Sequence, residues 1–241
     1  SWISSSSKNL LNRLKETCSS LADCVADPGV HTGNCSKQLI IPIGEADNDC
    51  VAILEGKQIS RYRCGHPAKS LRIKYTPKEG EYFTIRPKQK YVSAPFVIRQ
   101  TAGYPIVGPR RYAEYFRNSL LALYPPTDRT DVRYLVGILN SRLMRYLYCE
   151  TIQESKQQAF PQVKVRSLRS LPIWRVAWDD PMSVALHDEL VELVAEMLAT
   201  SAQIDSANKE GVTRGSQSSC EQLDSKINDC VYRLYELNDE E

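Results

Sequence analysis

The sequence predicts an α+β fold: a mixed-sheet body around a central helix, followed by a C-terminal antiparallel helical hairpin. Three observations predict it. Apolar residues recur at helical spacing from Val132 to Leu147. Ahead of that stretch lie short β-branched and aromatic runs bounded by Pro, Gly or Ser. After residue 179, two apolar seams repeat at heptad spacing around a Ser- and Gly-rich stretch, residues 206–219.

Taken in order, residues 4–25 read as an amphipathic helix with Leu10, Leu14 and Leu21 on one face, broken at Asp27-Pro28-Gly29. Residues 29–34 are a turn by composition. Residues 38–43 and 50–54 read as strands. Residues 71–75 alternate at period two, as a half-buried strand does. Residues 82–85 and 96–99 read as further strands. Residues 105–124 look like a broken pair of strands, stopped by Pro125-Pro126. In the central helix, Val132, Leu135, Val136, Leu139, Leu143 and Leu147 make one buried stripe, and Asp131 stands where an N-cap belongs. Beyond a polar turn at 153–158, the segment through Phe160-Pro161-Gln162-Val163 to Leu171-Pro172-Ile173 reads as extended and edge-lying. The seams of the hairpin are Leu186, Leu190, Leu193, Met197, Ile204 and Leu223, Ile227, Cys230, Leu234, Leu237. The expected division is a linker helix over 1–25, an α+β body over 26–178 and the hairpin over 179–241. The hairpin either packs on its own domain or serves as a docking arm.

Composition bounds the function. No apolar run approaches the roughly 18 residues that span a bilayer, so no membrane segment is expected. The start, Ser1-Trp2-Ile3-Ser4, has no basic or apolar leader and no Met, which reads as a cytoplasmic fragment of something longer. Eight cysteines form no C-x-x-C pair and have no His at ligand spacing, so thiols are expected rather than a zinc site or disulfides. The net charge of +2 hides a lopsided distribution. Residues 57–178 carry 23 basic and 7 acidic side chains, whereas residues 179–241 carry 4 basic and 15 acidic ones. A basic body calls for a polyanion, and the acidic end should face away from it.

Residues 57–117 hold 14 Lys and Arg against 3 acids, interleaved with tyrosines. Such side chains neutralise phosphates, and Arg, Lys, Gln and Asn also read base edges. The candidate DNA contacts are Lys57, Arg61 and Arg63; Arg86, Lys88 and Lys90; Arg99, Gln100 and Thr101; Arg110 and Arg111; and Lys156 and Gln157 in the polar turn. No metal site and no catalytic group is expected. Two other classes compete. One is a metal-dependent nuclease using the acidic-x-Lys pair Glu55 and Lys57, with Asp47 or Asp49. The other is a protein-interaction module working through the hairpin.

Several motifs carry a resemblance. Gly29-Val30-His31-Thr32-Gly33-Asn34 opens the series, and Leu54-Glu55-Gly56-Lys57-Gln58-Ile59 with Arg61-Tyr62 follows. Next come Phe96-Val97-Ile98-Arg99-Gln100-Thr101 and Ile138-Leu139-Asn140-Ser141-Arg142-Leu143 with Phe160-Pro161-Gln162-Val163-Lys164-Val165 and Leu171-Pro172-Ile173. The closing helix holds Val231-Tyr232-Arg233-Leu234-Tyr235-Glu236-Leu237. In this order they resemble the TaqI-like C-terminal specificity domain of adenine-N6 DNA methyltransferases and of restriction enzymes fused to them. Gln58 replaces that family's usual Asp.

The resemblance implies sequence-specific binding of double-stranded DNA. Thr32, Gly33 and Asn34 would lie in a recognition loop. An N-terminal methyltransferase domain of the same parent would bind S-adenosylmethionine and do the chemistry, in some members beside a nuclease. The chain itself has no Asn/Asp-Pro-Pro-aromatic motif, since Pro125-Pro126 follows Tyr124, and no Gly-rich loop for a methyl donor.

Overall fold

The structure, a computed structural model, describes residues 10, 12–14, 18–21, 24–152, 161–207 and 214–237. Its centre is an antiparallel sheet of β2 (Val25–Pro28), β11 (Leu120–Leu123), β8 (Phe96–Arg99) and β9 (Val107–Pro109), in that order. A second sheet runs β10 (Tyr115–Phe116), β4 (Cys50–Leu54), β7 (Lys69–Arg72) and β3 (Ile40–Pro42). In it β10 and β4 are parallel and the other pairs antiparallel. Strands β5 (Ile59–Ser60) and β6 (Arg63–Cys64) form a hairpin, and β1 (Cys18–Ser19) pairs with β12 (Ile173–Trp174).

The central sheet is covered on both faces, which is why Leu120-Leu121-Ala122-Leu123 is apolar without alternation. Phe96, Ile98, Leu121 and Leu123 face the helices. Val97, Leu120 and Ala122 face the second sheet with Ile53, Leu54, Tyr91 and Phe116.

The helical stripe is buried as its spacing requires, but the central helix is two helices. Asp131 caps α3 (Val132–Asn140) by accepting the Arg133 N–H at 2.8 Å. At Ser141 the backbone is extended, and its hydroxyl accepts the Met144 N–H while donating to the Ile138 carbonyl at 2.7 Å. Ser141 thus ends one helix and caps α4 (Arg142–Thr151).

Helices α6 (Pro181–Ala207) and α7 (Arg214–Leu234) form the antiparallel hairpin, and the Cys230 thiol reaches the Leu186 carbonyl. The hairpin packs on its own body. Leu190, Val194, Met197, Leu223, Ile227, Cys230 and Leu234 share one core with Leu135, Leu139 and Leu143. Gly137 permits this approach: a Cβ there would lie 2.8 Å from Leu190 and 3.0 Å from Val194. The acidic end does not simply face away, because Asp224 and Asp205 pair with Arg61 and Arg63 of the body. Past α7, the buried Tyr235 hydroxyl donates to the Pro172 carbonyl at 2.8 Å and accepts the Trp174 N–H at 3.2 Å. The closing motif thereby fixes Leu171-Pro172-Ile173.

Local expectations fail where long-range pairing decides. Cys18–Ser19 is a strand, not the end of a helix, because Ile173–Trp174 supplies its partner. A helical turn, α1 (Ser36–Leu39), precedes β3, and a second short helix, α2 (Lys88–Val92), precedes β8. Strand β7 ends at Arg72. Residues 82–85 make only a bridge, Thr84 to His31. Residues 105–124 hold three strands. The run after Gln162 coils into α5 (Val165–Arg169) before β12. Residues 1–9 and the polar turn at 153–158 lie outside the described residues. Among the described residues, no helix is long and apolar enough to cross a membrane, and the eight cysteines form no disulfide.

Candidate nucleic-acid interface

Glu55-Gly56-Lys57-Gln58 forms one tight turn closed by a capping box. The Glu55 carboxylate accepts the Gln58 N–H, and the Gln58 side-chain oxygen accepts the Glu55 N–H at 2.9 Å. Gln58 therefore has a local role in closing the turn. The Gly56 N–H donates to the Ser119 hydroxyl at 2.9 Å, and a Cβ on Gly56 would sit 3.2 Å from the Thr101 hydroxyl. That contact presses the turn against the end of β8. Lys57 projects from it with 60% of its side chain exposed, 3.6 Å from Glu55.

The end of β8 is held from both sides. The Arg99 N–H donates to Ile106, the Gln100 N–H to Ser119 at 2.8 Å, and the Val163 N–H to the Gln100 carbonyl at 2.7 Å. The last bond brings Pro161-Gln162 beside Arg99. The Arg99 Nε–H donates to the Thr101 carbonyl at 3.1 Å. Arg99, Thr101, Pro161 and Gln162 line a recess of about 470 Å³. Among the described residues, no carboxylate pairs with Arg99.

Behind Lys57, Glu55 is surrounded by cations: Arg117 at 2.8 Å, Lys69 at 3.2 Å and Lys57. Burial raises its carboxyl pKa, but the hydrogen bonds and charges of Arg117 and Lys69 outweigh burial and hold it below the ordinary value. Glu55 is thus the anionic centre of an ion-pair cluster, which gives the acidic-x-Lys reading no support. Arg117 also donates to the Thr32 hydroxyl at 3.3 Å. Asn34 clasps the neighbouring loop, donating to the Gly80 carbonyl and accepting the Tyr82 N–H, both at 2.9 Å. Gly33 has φ +51°, and a Cβ there would overlap the Tyr82 carbonyl. Thr32, Gly33 and Asn34 therefore organise the loop that presents the exposed Tyr82.

The remaining candidates are tied into the fold or lie elsewhere. Arg61 and Arg63 hold the hairpin. Arg86 donates to the Pro28 carbonyl at 2.6 Å and pairs with Asp27, as Lys90 does. Lys88 pairs with Glu114 at 2.8 Å. Arg110 donates to the carbonyls of Ala94, Ala113 and Val92. Arg111 donates to Leu198. Lys156 and Gln157 lie outside the described residues. The structure thus sets the turn of Lys57 beside Arg99, Gln100 and Thr101 and adds Gln162, which charge counting passes over, and Arg117, which the charge count includes without singling it out. The signal for Gln162 is its place in Phe160-Pro161-Gln162-Val163.

No curated protein matches the sequence. The family model of the TaqI-like C-terminal specificity domain matches residues 51–173, a span that holds the Glu55 turn, the end of β8, the Asn140-Ser141 junction and Gln162. The chain belongs to the family of TaqI-like C-terminal specificity domains.

Proposed function

We propose that the chain recognises a short sequence in double-stranded DNA as the specificity domain of a bacterial restriction–modification adenine-N6 methyltransferase. A methyltransferase domain of the same parent would bind S-adenosylmethionine and flip the target adenine out of the duplex. This chain would grip the DNA and set register and sequence. One observation carries the reading. Within the span that matches the family, Arg99, Thr101 and Gln162 line one recess, beside the turn that carries the exposed Lys57, while Arg61, Arg63, Arg86 and Arg110 are engaged by carboxylates or carbonyls of the fold itself. The hairpin seams are buried against the body, which disfavours a protein-interaction module acting through them.

The test is duplex binding by fluorescence anisotropy across a salt series. Affinity should fall steeply with salt, and Lys57→Ala should make the slope shallower by about one unit. Lys88→Ala, on the pair with Glu114, should leave it unchanged. Absence of duplex binding at low salt would sink the proposal.

A further inference from the structure

Resting on the DNA-recognition reading above, we propose that the recess beside β8 is a base-reading site in which the Arg99 guanidinium takes the major-groove edge of a guanine. Three observations carry this. First, Arg99 sits at the end of a rigid strand, and its Nε bond to the Thr101 carbonyl at 3.1 Å limits rotation of the guanidinium. The two terminal amino groups are left as a donor fork, which matches the O6 and N7 acceptors of guanine. Second, no carboxylate neutralises it among the described residues, unlike Arg61, Arg63, Arg86 and Arg117. Third, the rest of the lining is neutral: a hydroxyl, a proline and the Gln162 amide. A phosphate offers only acceptors and is commonly gripped by several donors or cations together. The Gln162 amide carries both a donor and an acceptor, as a base edge does. The division of labour is then Arg99 for a base and the projecting Lys57 for the backbone.

The experiment enriches a random duplex pool on the 241-residue chain and repeats the selection with Arg99→Ala and Arg99→Lys, each shown to retain the wild-type urea midpoint. The expected result is a guanine at one position for the wild type, with discrimination there falling at least about fivefold in both variants and other positions unchanged. Arg99→Lys keeps the charge but not the planar fork, so its salt slope should match the wild type. Replacing that guanine by 7-deazaguanine should weaken the wild type and leave Arg99→Ala indifferent. If Arg99→Ala weakens all sequences alike and Arg99→Lys restores them, Arg99 is a phosphate contact, and the base-reading proposal falls while DNA recognition stands. If the wild type binds duplex without any preferred guanine, the proposal also falls. If it binds no duplex, both readings fall.

Discussion

The Asn140 side chain closes the backbone of Val107 from both ends. Its oxygen accepts the Val107 N–H and its amide nitrogen donates to the Val107 carbonyl, each at 2.9 Å. In effect, a side chain at the end of α3 completes the ladder at the edge strand β9, in a place closed to water. The asparagine of Ile138-Leu139-Asn140-Ser141 thus welds helix to sheet rather than contacting a ligand.

Replacing Asn140 by Ala strands both Val107 groups and should cost about 3 kcal/mol. Urea unfolding measures this. A loss under about 1 kcal/mol would mean that the bonds are replaced, most simply by water.

Gly33→Ala should destabilise the Thr32-Gly33-Asn34 loop. The left-handed backbone alone costs about 1–2 kcal/mol, and the new Cβ would collide with the Tyr82 carbonyl. Hydrogen exchange at the Tyr82 amide, which donates to Asn34 at 2.9 Å, should speed up in the variant. Unchanged exchange would show that the loop accommodates the methyl group.

Glu55 should contribute to acid sensitivity. Its folded carboxyl is held below the ordinary 4.5 by Arg117 and Lys69 despite burial. Its stabilising contribution is therefore present above that value and is lost as pH falls through the lower folded one. Glu55→Gln should be less stable near neutrality and show a shallower decline between about pH 5 and 3. Parallel stability curves for the two proteins would refute this.

Arg110→Ala should act on the fold rather than on DNA. It removes a half-buried guanidinium from three carbonyls, with distances of 2.7 to 3.1 Å, and should cost about 2 kcal/mol. At temperatures where the variant remains folded, the salt slope of duplex binding should match the wild type. A shallower slope would place Arg110 on the DNA.

Local chemistry alone made much of this protein legible. The stripe from Leu135 to Leu147, the Asp131 cap and the paired seams at Leu190 and Ile227 follow from side-chain period and capping, which neighbours in sequence settle. The apolar stripe runs unbroken through the Asn140-Ser141 junction, so one helix and two look alike by period, and only the structure shows Ser141 capping the second. The motif order pointed to the specificity-domain family, which the match to residues 51–173 bears out.

The partners of charges and strand edges were decided only by the tertiary structure. Arg61, Arg99 and Arg110 are equivalent in a charge count. Folding sets one against Asp224, surrounds another with carbonyls, and leaves Arg99 facing a recess closed by Gln162 from some sixty residues away. Likewise, Cys18–Ser19 is a strand because Ile173–Trp174 lies beside it. Period and propensity are properties of neighbours in sequence. Ion pairing and strand pairing belong to distant segments whose meeting is fixed by burial of the shared core.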